Sequence, residues 1–187
     1  MKLGVFSFNT EYTIRADELA IAAEERGFES IWFPEHTHIP ASRETAYPGG
    51  GPLPKEYIHM SDPFTSAAAA AVVTKTIKIG TGVCLVIEHD PLALAKTVAT
   101  IDRLSNGRFI LGVGAGWNAE EMENHGTPYA KRWKVLEERV KAMKALWTEE
   151  EASFHGDWVN FEKVWSYPKP LQKPHPPVII GTFGSKW

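Results

Sequence analysis

The sequence lacks several features that commonly reveal a function. It has a single cysteine, Cys84, so it cannot form an internal disulfide, and a reducing cytoplasm is the setting we expect. No apolar run approaches the ~18 residues of a membrane span, and Met1 leads into a predicted strand instead of a signal peptide. The formal net charge of −3 favours neither a nucleic-acid partner nor an anionic membrane.

Three common motifs of catalysis and cofactor binding are also missing. There is no Gly-Lys-Ser/Thr phosphate loop and no His-Glu-x-x-His zinc motif. The segment Gly112-Val113-Gly114-Ala115-Gly116 lacks the third glycine of a dinucleotide fingerprint, and no helix is predicted immediately behind it. His36 and His38 share a predicted strand end, but Glu35 is the one carboxylate near them in sequence, so we predict no metal site. We expect Cys84 to be a buried, small apolar residue.

What the sequence does contain is a series of five short apolar runs, each ending in a polar or glycine-rich tip. The first four precede helical patterns, which predicts an α/β fold with a parallel sheet and outer helices. Because a (β/α)8 TIM barrel has eight such units, we expect residues 1–187 to form one incomplete barrel domain, its N-terminal five units. Thr182–Trp187 is too short to close the sheet. The five runs are Leu3–Phe8, Ser30–Pro34, Ile77–Val83, Arg108–Val113 and Pro177–Gly181.

Helix boundaries are marked by recurring dipeptides. Asp62-Pro63, Asp90-Pro91 and Thr127-Pro128 each offer a capping oxygen followed by proline at the first helical position. Residues 150–167 alternate loosely and predict short strands. The predicted helices are Ala16–Arg26, Pro63–Thr74, Pro91–Leu104 and Tyr129–Trp147.

Residues 37–60 interrupt the strand and helix pattern with four prolines and the run Gly49-Gly50-Gly51. Loops of this length inside a compact domain are usually functional or mobile. We predict a lid over one end of the sheet; the alternative is a disordered surface insertion.

Candidate functional residues follow from the strand tips, because ligands of α/β barrels bind at the C-terminal ends of the strands. His36 is the main candidate, since imidazole titrates near neutral pH and can move a proton; the alternative is an exposed loop histidine. Glu35 is either its catalytic neighbour or the partner of a helix N-terminus or an arginine. His125-Gly126 with Arg132 either binds an anion or caps the following helix.

At these tips the sequence resembles the bacterial luciferase-like monooxygenase superfamily. The resemblance is carried in order by Trp32–His36, Lys78–Val83, Asp102–Trp117 and Pro176–Gly181, so it covers nearly the whole chain. His36-Thr37-His38-Ile39-Pro40, Ala95-Lys96 and Trp147 are similar to the branch of probable deazaflavin-dependent oxidoreductases. One departure is Thr182, where family members usually have a second glycine.

The resemblance implies a (β/α)8 barrel that binds coenzyme F420, a 5-deazaflavin, or FMN at its C-terminal mouth. It implies that His36 contacts the ring or the substrate. Thr81, Gly82 and Val83 would form a bulge behind the ring, often with a cis peptide. The cofactor-binding set that it implies is completed by Gly114, Gly116, Trp117, Asn118 and Gly181, the last near the cofactor phosphate.

Three functions follow as hypotheses. The first is an oxidoreductase that transfers a hydride between coenzyme F420 and a small organic substrate. The second is an FMN-dependent monooxygenase, and the third, from another class, is a non-catalytic module that binds a flavin or assembles with other chains. Because a five-stranded parallel sheet has two open edges, we also expect a homodimer or higher homo-oligomer.

Overall fold

The computed structural model describes residues 1–181, so the segment Thr182–Trp187 lies outside the described residues. Five parallel strands form one sheet in the order β1-β2-β3-β4-β7, and β5 and β6 form a separate antiparallel hairpin. All five apolar runs therefore become strands of the main sheet, as predicted. The strands are β1 Gly4–Phe6, β2 Ser30–Phe33, β3 Lys78–Thr81, β4 Phe109–Val113, β5 Ala152–His155, β6 Asn160–Val164 and β7 Val178–Ile180.

Two of the three predicted helix caps are confirmed. The Asp62 carboxylate accepts a hydrogen bond from the Thr65 backbone N–H at 2.6 Å, and Asp90 accepts one from Ala93 at 2.8 Å. Each satisfies a backbone donor that has no partner within its helix. The helices are α1 Ala16–Glu25, α2 Pro63–Val73, α3 Pro91–Leu104, α4 Ala119–Asn124 and α5 Arg132–Thr148.

The third predicted cap, Thr127-Pro128, is wrong. The Thr127 hydroxyl donates to the Ile87 carbonyl oxygen at 2.6 Å, so it ties two loops together and caps no helix. A short 3₁₀ turn, Tyr129–Lys131, comes next, and α5 begins only at Arg132. No helix follows Gly116 directly, as expected, but the short helix α4, which begins at Ala119, was not predicted.

The core lies between the parallel sheet and the outer helices α1, α2, α3 and α5. Ile31, Ile79 and Leu111 are fully buried on successive neighbouring strands, and Trp147 of α5 closes the core from the helical side. Cys84 is fully buried, as predicted. None of the helices within residues 1–181 combines the length and apolar character that crossing a bilayer requires.

The parallel strands direct their C-terminal ends to one side of the sheet. Asp102, fully buried near the end of α3, accepts hydrogen bonds from the backbone N–H groups of Leu171 at 2.7 Å and Gln172 at 2.9 Å. This contact fixes the proline-rich segment that leads into β7. The last described strand is thereby placed beside β4, with its tip, Gly181, next to the tip of β4.

Candidate functional site

A cavity of about 490 Å³ opens at the C-terminal ends of the parallel strands. Its size lies within the range typical of small-molecule sites. The strand ends that the sequence analysis selected meet here. The cavity is lined by Phe6, Phe8, Pro34, Glu35, His36, Pro48, Tyr57, Met60, Gly82, Val83, Leu85, Gly114, Ala115, Gly116, Trp117, Trp133 and Gly181.

Eight of the ten candidate site residues line this cavity, and Thr81 and Asn118 do not. Thr81 is fully buried and its hydroxyl donates to the Gly112 carbonyl oxygen at 2.7 Å, so it joins β3 to β4. Asn118 is the N-cap of α4, where its side-chain oxygen accepts from the Glu121 backbone N–H at 3.4 Å. The Nδ2 atom of Asn118 is buried and has no hydrogen-bond partner among the described residues.

Val83 lies at the base of the cavity between two glycines. A Cβ atom added at Gly114 would lie 2.6 Å from Val83 Cγ2, and one added at Gly181 would lie 2.6 Å from Val83 Cγ1. Both distances are well below van der Waals contact, so the position of Val83 requires glycine at both strand tips. The Gly82–Val83 peptide bond is cis, as the resemblance implied.

His36 is held in the cavity wall by two hydrogen bonds. Its Nδ1 atom lies 2.6 Å from Glu121 Oε2, and the Trp117 indole N–H donates to its Nε2 atom at 3.2 Å. The His36 side chain is 7% exposed, so the alternative of an exposed loop histidine is wrong. Glu121 is the second residue of this pair, and the sequence analysis missed it.

Glu35 contacts a different set of groups from its neighbour His36. One of its carboxylate oxygens accepts from the Leu85 backbone N–H at 2.6 Å, and the other lies 2.7 Å from His89 Nε2. Leu85 immediately precedes a 3₁₀ turn, Val86–Glu88, so Glu35 accepts a hydrogen bond from the backbone at the start of that turn. Within residues 1–181, Glu35 contacts no arginine. Burial opposes charge on His89, but the hydrogen bond with Glu35 and its charge raise the pKa of His89.

Glu35, Cys84 and His89 place three possible metal-ligand atoms within 4.8 Å of one another. Burial, followed by the nearby Glu35 carboxylate, raises the pKa of the Cys84 thiol well above its usual value, which favours the protonated form. Both oxygens of Glu35 are already engaged by Leu85 and His89. The cluster is therefore explained by the hydrogen bonds of Glu35, which itself lines the cavity together with Leu85.

Glu88 is a third buried carboxyl group near His36. Its side chain is 1% exposed, and Oε2 accepts from the Thr37 hydroxyl at 3.3 Å. Burial raises the pKa of Glu88 to about 9, with further contributions from the charges of Glu121 and Glu35. Glu88 is therefore protonated at neutral pH, which lowers the negative charge beside Glu121.

Loop 37–60 forms the outer wall of the cavity with its aromatic side chains. Tyr57 packs against His36 with ring centroids 5.2 Å apart, and Tyr47 packs against Trp117 at 5.9 Å. A second cavity, of about 390 Å³, lies between Tyr47, Pro48, Gly49, Tyr57 and Trp117. Because Tyr57 and Trp117 line both cavities, these two rings separate the inner space from the outer one.

The same loop is fastened to α4 by Glu120. Its carboxylate accepts from the backbone N–H groups of Glu44 at 2.5 Å and Thr45 at 3.0 Å, and from the Thr45 hydroxyl at 2.6 Å. The hydrogen bonds from the Thr45 hydroxyl and the Glu44 backbone lower the pKa of Glu120 to about 2. Consecutive glutamates of α4 thus hold the loop and His36.

His125 and Arg132 do not cap α5 as one alternative predicted. His125 ends α4, and its Nε2 atom lies 2.8 Å from the Thr37 hydroxyl oxygen. The Arg132 guanidinium lies over the Tyr129 ring at 3.9 Å and donates to the Tyr129 carbonyl oxygen at 2.9 Å. The anion-binding alternative stays a prediction.

Glu121 and Glu88 were missed because their partners lie far away in sequence. A local signal for Glu121 was nevertheless present, since Asn118 and Glu121 have the spacing of an N-cap residue and its third helical position. Glu88 carries no comparable signal, because nothing in the sequence around it predicts contact with Thr37 or Glu121.

The described residues fit a flat cofactor ring. The glycines at the tips of β4 and β7 expose backbone to the cavity, and Val83 offers an apolar surface. A flat ring needs such close approach to backbone atoms, which side chains at these positions would block.

Comparison with known proteins gives a consistent result. The family described as luciferase-like monooxygenase matches residues 1–186. An uncharacterized protein of Mycobacterium tuberculosis is 44% identical over 189 residues, which is 100% of this chain and 67% of the relative. The F420-dependent glucose-6-phosphate dehydrogenase of Amycolatopsis mediterranei is 33% identical, covering 89% of this chain and 47% of the relative. The FMNH(2)-dependent dimethylsulfone monooxygenase of Pseudomonas putida is 39% identical, covering 49% of this chain and 26% of the relative.

Solved structures with the same fold agree with these relatives. The monooxygenase RslO1 from Streptomyces bottropensis matches 98% of this chain with a TM-score of 0.81 and 28% identity, covering 54% of that chain. An F420-dependent secondary alcohol dehydrogenase in complex with an F420-acetone adduct matches 96% with a TM-score of 0.74 and 27% identity, covering 51% of that chain. The chain thus spans about half the length of these two solved structures.

Proposed function

Because the chain belongs to the luciferase-like monooxygenase family, we propose that it acts as an oxidoreductase that transfers a hydride between coenzyme F420 and a small organic substrate. The observation that carries this proposal is the shared cavity, in which the Val83 bulge, two glycine tips and His36 surround one space. Relatives of this family include enzymes named for F420 and for FMN. We favour F420 because of the similarity of residues 36–40 to the deazaflavin branch.

The cofactor would be held by the strand tips. Gly82 and Val83 would support the ring from behind, while Gly114, Gly116 and Trp117 would line its edge and Gly181 would lie near the phosphate. When bound, coenzyme F420 supplies the centre that accepts or donates the hydride. Thr81 would act indirectly, by fixing β3 to β4 through Gly112. Asn118 would also act indirectly, as the N-cap of α4.

His36 would move the proton that accompanies the hydride. Its Nε2 atom, on the side of Trp117, would accept a proton from a substrate hydroxyl, or return one to a carbonyl oxygen in the reverse direction. Glu35 would hold the Leu85 backbone and the His89 side chain in place beside His36, since each of its oxygens contacts one of them. Glu35 is therefore proposed as a positioning residue.

Loop 37–60 would act as the lid. Tyr47 and Tyr57 border the cavity, so the loop would exclude water from the reacting atoms and shape the substrate space. The contacts of Glu120 with Glu44 and Thr45 would hold this lid over the cavity. The outer space of about 390 Å³ suits a small molecule.

At the level of the whole protein, the parallel sheet would be the first five units of a (β/α)8 barrel. The longer relatives and solved structures support this reading. We further propose self-association into a homodimer, because Val72 and Val73 at the end of the outer helix α2 are 64% and 41% exposed. Sedimentation velocity on the purified chain tests this, and a concentration-independent monomer contradicts it.

FMN-dependent monooxygenation is the second candidate, favoured by the dimethylsulfone monooxygenase relative. The two candidates differ in their use of oxygen. Oxygen consumption that requires reduced FMN and an organic substrate would favour the monooxygenase. Reduction of F420 by an alcohol without oxygen consumption would favour the hydride transfer proposed above.

Cofactor binding is tested by titrating the purified chain with coenzyme F420 and with FMN and following cofactor fluorescence. We expect saturable binding of coenzyme F420 at one molecule per site, and weaker binding of FMN. A Gly114→Ala variant should bind the cofactor more weakly, because its methyl group would collide with Val83. Binding of neither cofactor would contradict the proposal and favour a non-catalytic module, while preferential FMN binding would favour the second candidate.

A further inference from the structure

We propose that Glu121 is a positioning residue that holds His36 in one neutral tautomer, with the proton on Nδ1 and Nε2 left as the proton acceptor. The proposal rests on the proposed function for its catalytic consequence. The tautomer itself follows from the contacts of the chain alone. Glu121 is a buried residue of α4 and was not among the candidate residues at the strand tips.

Two partners of opposite character fix the tautomer independently. The Trp117 indole nitrogen can only donate a hydrogen bond, so His36 Nε2, 3.2 Å away, must be the acceptor and carry no proton. An ionised carboxylate can only accept, so His36 Nδ1, 2.6 Å from Glu121 Oε2, must be the donor. Protonation of Nε2 requires the Trp117 N–H to turn away, because two N–H groups would otherwise face each other at Nε2.

Both carboxylate oxygens of Glu121 have hydrogen-bond partners. Its side chain is 1% exposed, yet both oxygens accept hydrogen bonds, Oε2 from His36 and Oε1 from the Thr37 backbone N–H at 3.1 Å. Glu88, the neighbouring buried carboxyl, holds its own proton at neutral pH and so adds no second negative charge. The other titratable groups around this cluster are Glu35, Tyr57, His89, His38 and His125.

This arrangement has a direct consequence for proton transfer. When Nε2 accepts a substrate proton, the imidazole becomes positively charged inside a buried wall, where an unpaired charge is costly. The Glu121 carboxylate lies against the Nδ1–H of that cation and stabilises it. In the alcohol direction, the O–H proton would pass to His36 Nε2. The carbon-bound hydrogen would leave with its electron pair, which the oxidised cofactor would accept when bound, and a carbonyl would form.

The test uses ¹⁵N-labelled, cofactor-free protein and records the ring nitrogens of His36 by NMR. We expect a protonated, pyrrole-like Nδ1 and an unprotonated, pyridine-like Nε2 in the wild type. Glu121→Gln keeps an oxygen acceptor for Nδ1–H but removes the charge, so the tautomer should persist and His36 should become protonated at lower pH. Glu121→Leu removes the acceptor, so the proton should move to Nε2.

Glu123→Gln is the matched control, because Glu123 lies on α4 two residues after Glu121 but is exposed. It should leave the His36 ring signals unchanged. Far-UV circular dichroism establishes that each variant is folded, and Glu121→Gln carries the test if Glu121→Leu does not fold. A wild-type His36 protonated on Nε2, or a titration midpoint unaltered by Glu121→Gln, overturns the proposal.

The catalytic consequence is measured separately as single-turnover hydride transfer with bound coenzyme F420. Glu121→Gln should slow this step by about 10²–10⁴-fold without a matching change in cofactor affinity. An unaltered rate would overturn the assigned role of Glu121 in proton transfer. If neither cofactor binds, the proposed function fails, while the NMR result still decides the tautomer.

Discussion

Replacing Glu88 by glutamine should make the protein more stable at neutral and alkaline pH. The pKa of Glu88 is raised from 4.5 to about 9 by burial and then by the charges of Glu121 and Glu35. The folded state therefore keeps a proton on Glu88 that the unfolded chain has lost. Glutamine has nearly the same shape, keeps an oxygen that can accept from Thr37, and never ionises.

The direction of the effect follows from proton linkage. Between pH 4.5 and about 9, the unfolded chain binds one proton fewer at this site than the folded protein, so stability falls as pH rises. The slope from one such group is about 1.4 kcal/mol per pH unit. At about pH 7, roughly 2.5 units above the unfolded value, the contribution reaches about 3 kcal/mol.

Urea denaturation at about pH 5.5, 7 and 8.5 measures this difference directly. The free energy of unfolding of Glu88→Gln, taken relative to that of the wild type, should rise by about 4 kcal/mol from about pH 5.5 to about pH 8.5. Glu25→Gln, which alters an exposed carboxylate at the end of α1, is the control and should give a flat difference. A stability difference between Glu88→Gln and wild type that does not vary with pH would refute the reasoning.

Three further predictions concern the strand tips and the core. Gly114→Ala should cost about 1–3 kcal/mol in urea denaturation because its methyl group meets Val83, and the second change Val83→Ala should restore most of that loss. Asp102→Asn should cost about 2–4 kcal/mol, since an amide cannot accept from all the donors of Leu171 and Gln172, whereas Asp157→Asn at an exposed site should have little effect. Cys84 should react with a thiol reagent only as the protein unfolds in urea, because the side chain is fully buried and its pKa is raised; rapid reaction of the native protein would contradict this.

The parallel sheet could be predicted from sequence because its signals are local. Each strand is a short apolar run, and the starts of α2 and α3 are marked by Asp62 and Asp90, which cap within their own segments. The meeting of the strand tips also followed from sequence, since parallel strands end on the same side of a sheet. His36, Val83 and Gly114 could therefore be brought together before any coordinates.

The rest of the site could not be predicted because it depends on contacts between distant segments. His36 and Glu121 are 85 positions apart, and Glu35 and His89 are 54 apart. Thr127 misled the helix assignment for the same reason, because its hydroxyl satisfies Ile87 from another loop. Local signals specify the strand or helix on which a residue lies, but the partner of its side chain depends on how distant segments pack together.

The three buried carboxyl groups around His36 have different partners, and one of them contacts the His36 ring. Glu35 has both oxygens occupied by Leu85 and His89, and Glu88 holds a proton at neutral pH. Glu121 is left as the carboxylate that contacts an imidazole in the cavity wall. Three adjacent charges in this wall would oppose folding, so the different partners of the three groups both permit burial and assign the single charge that faces His36.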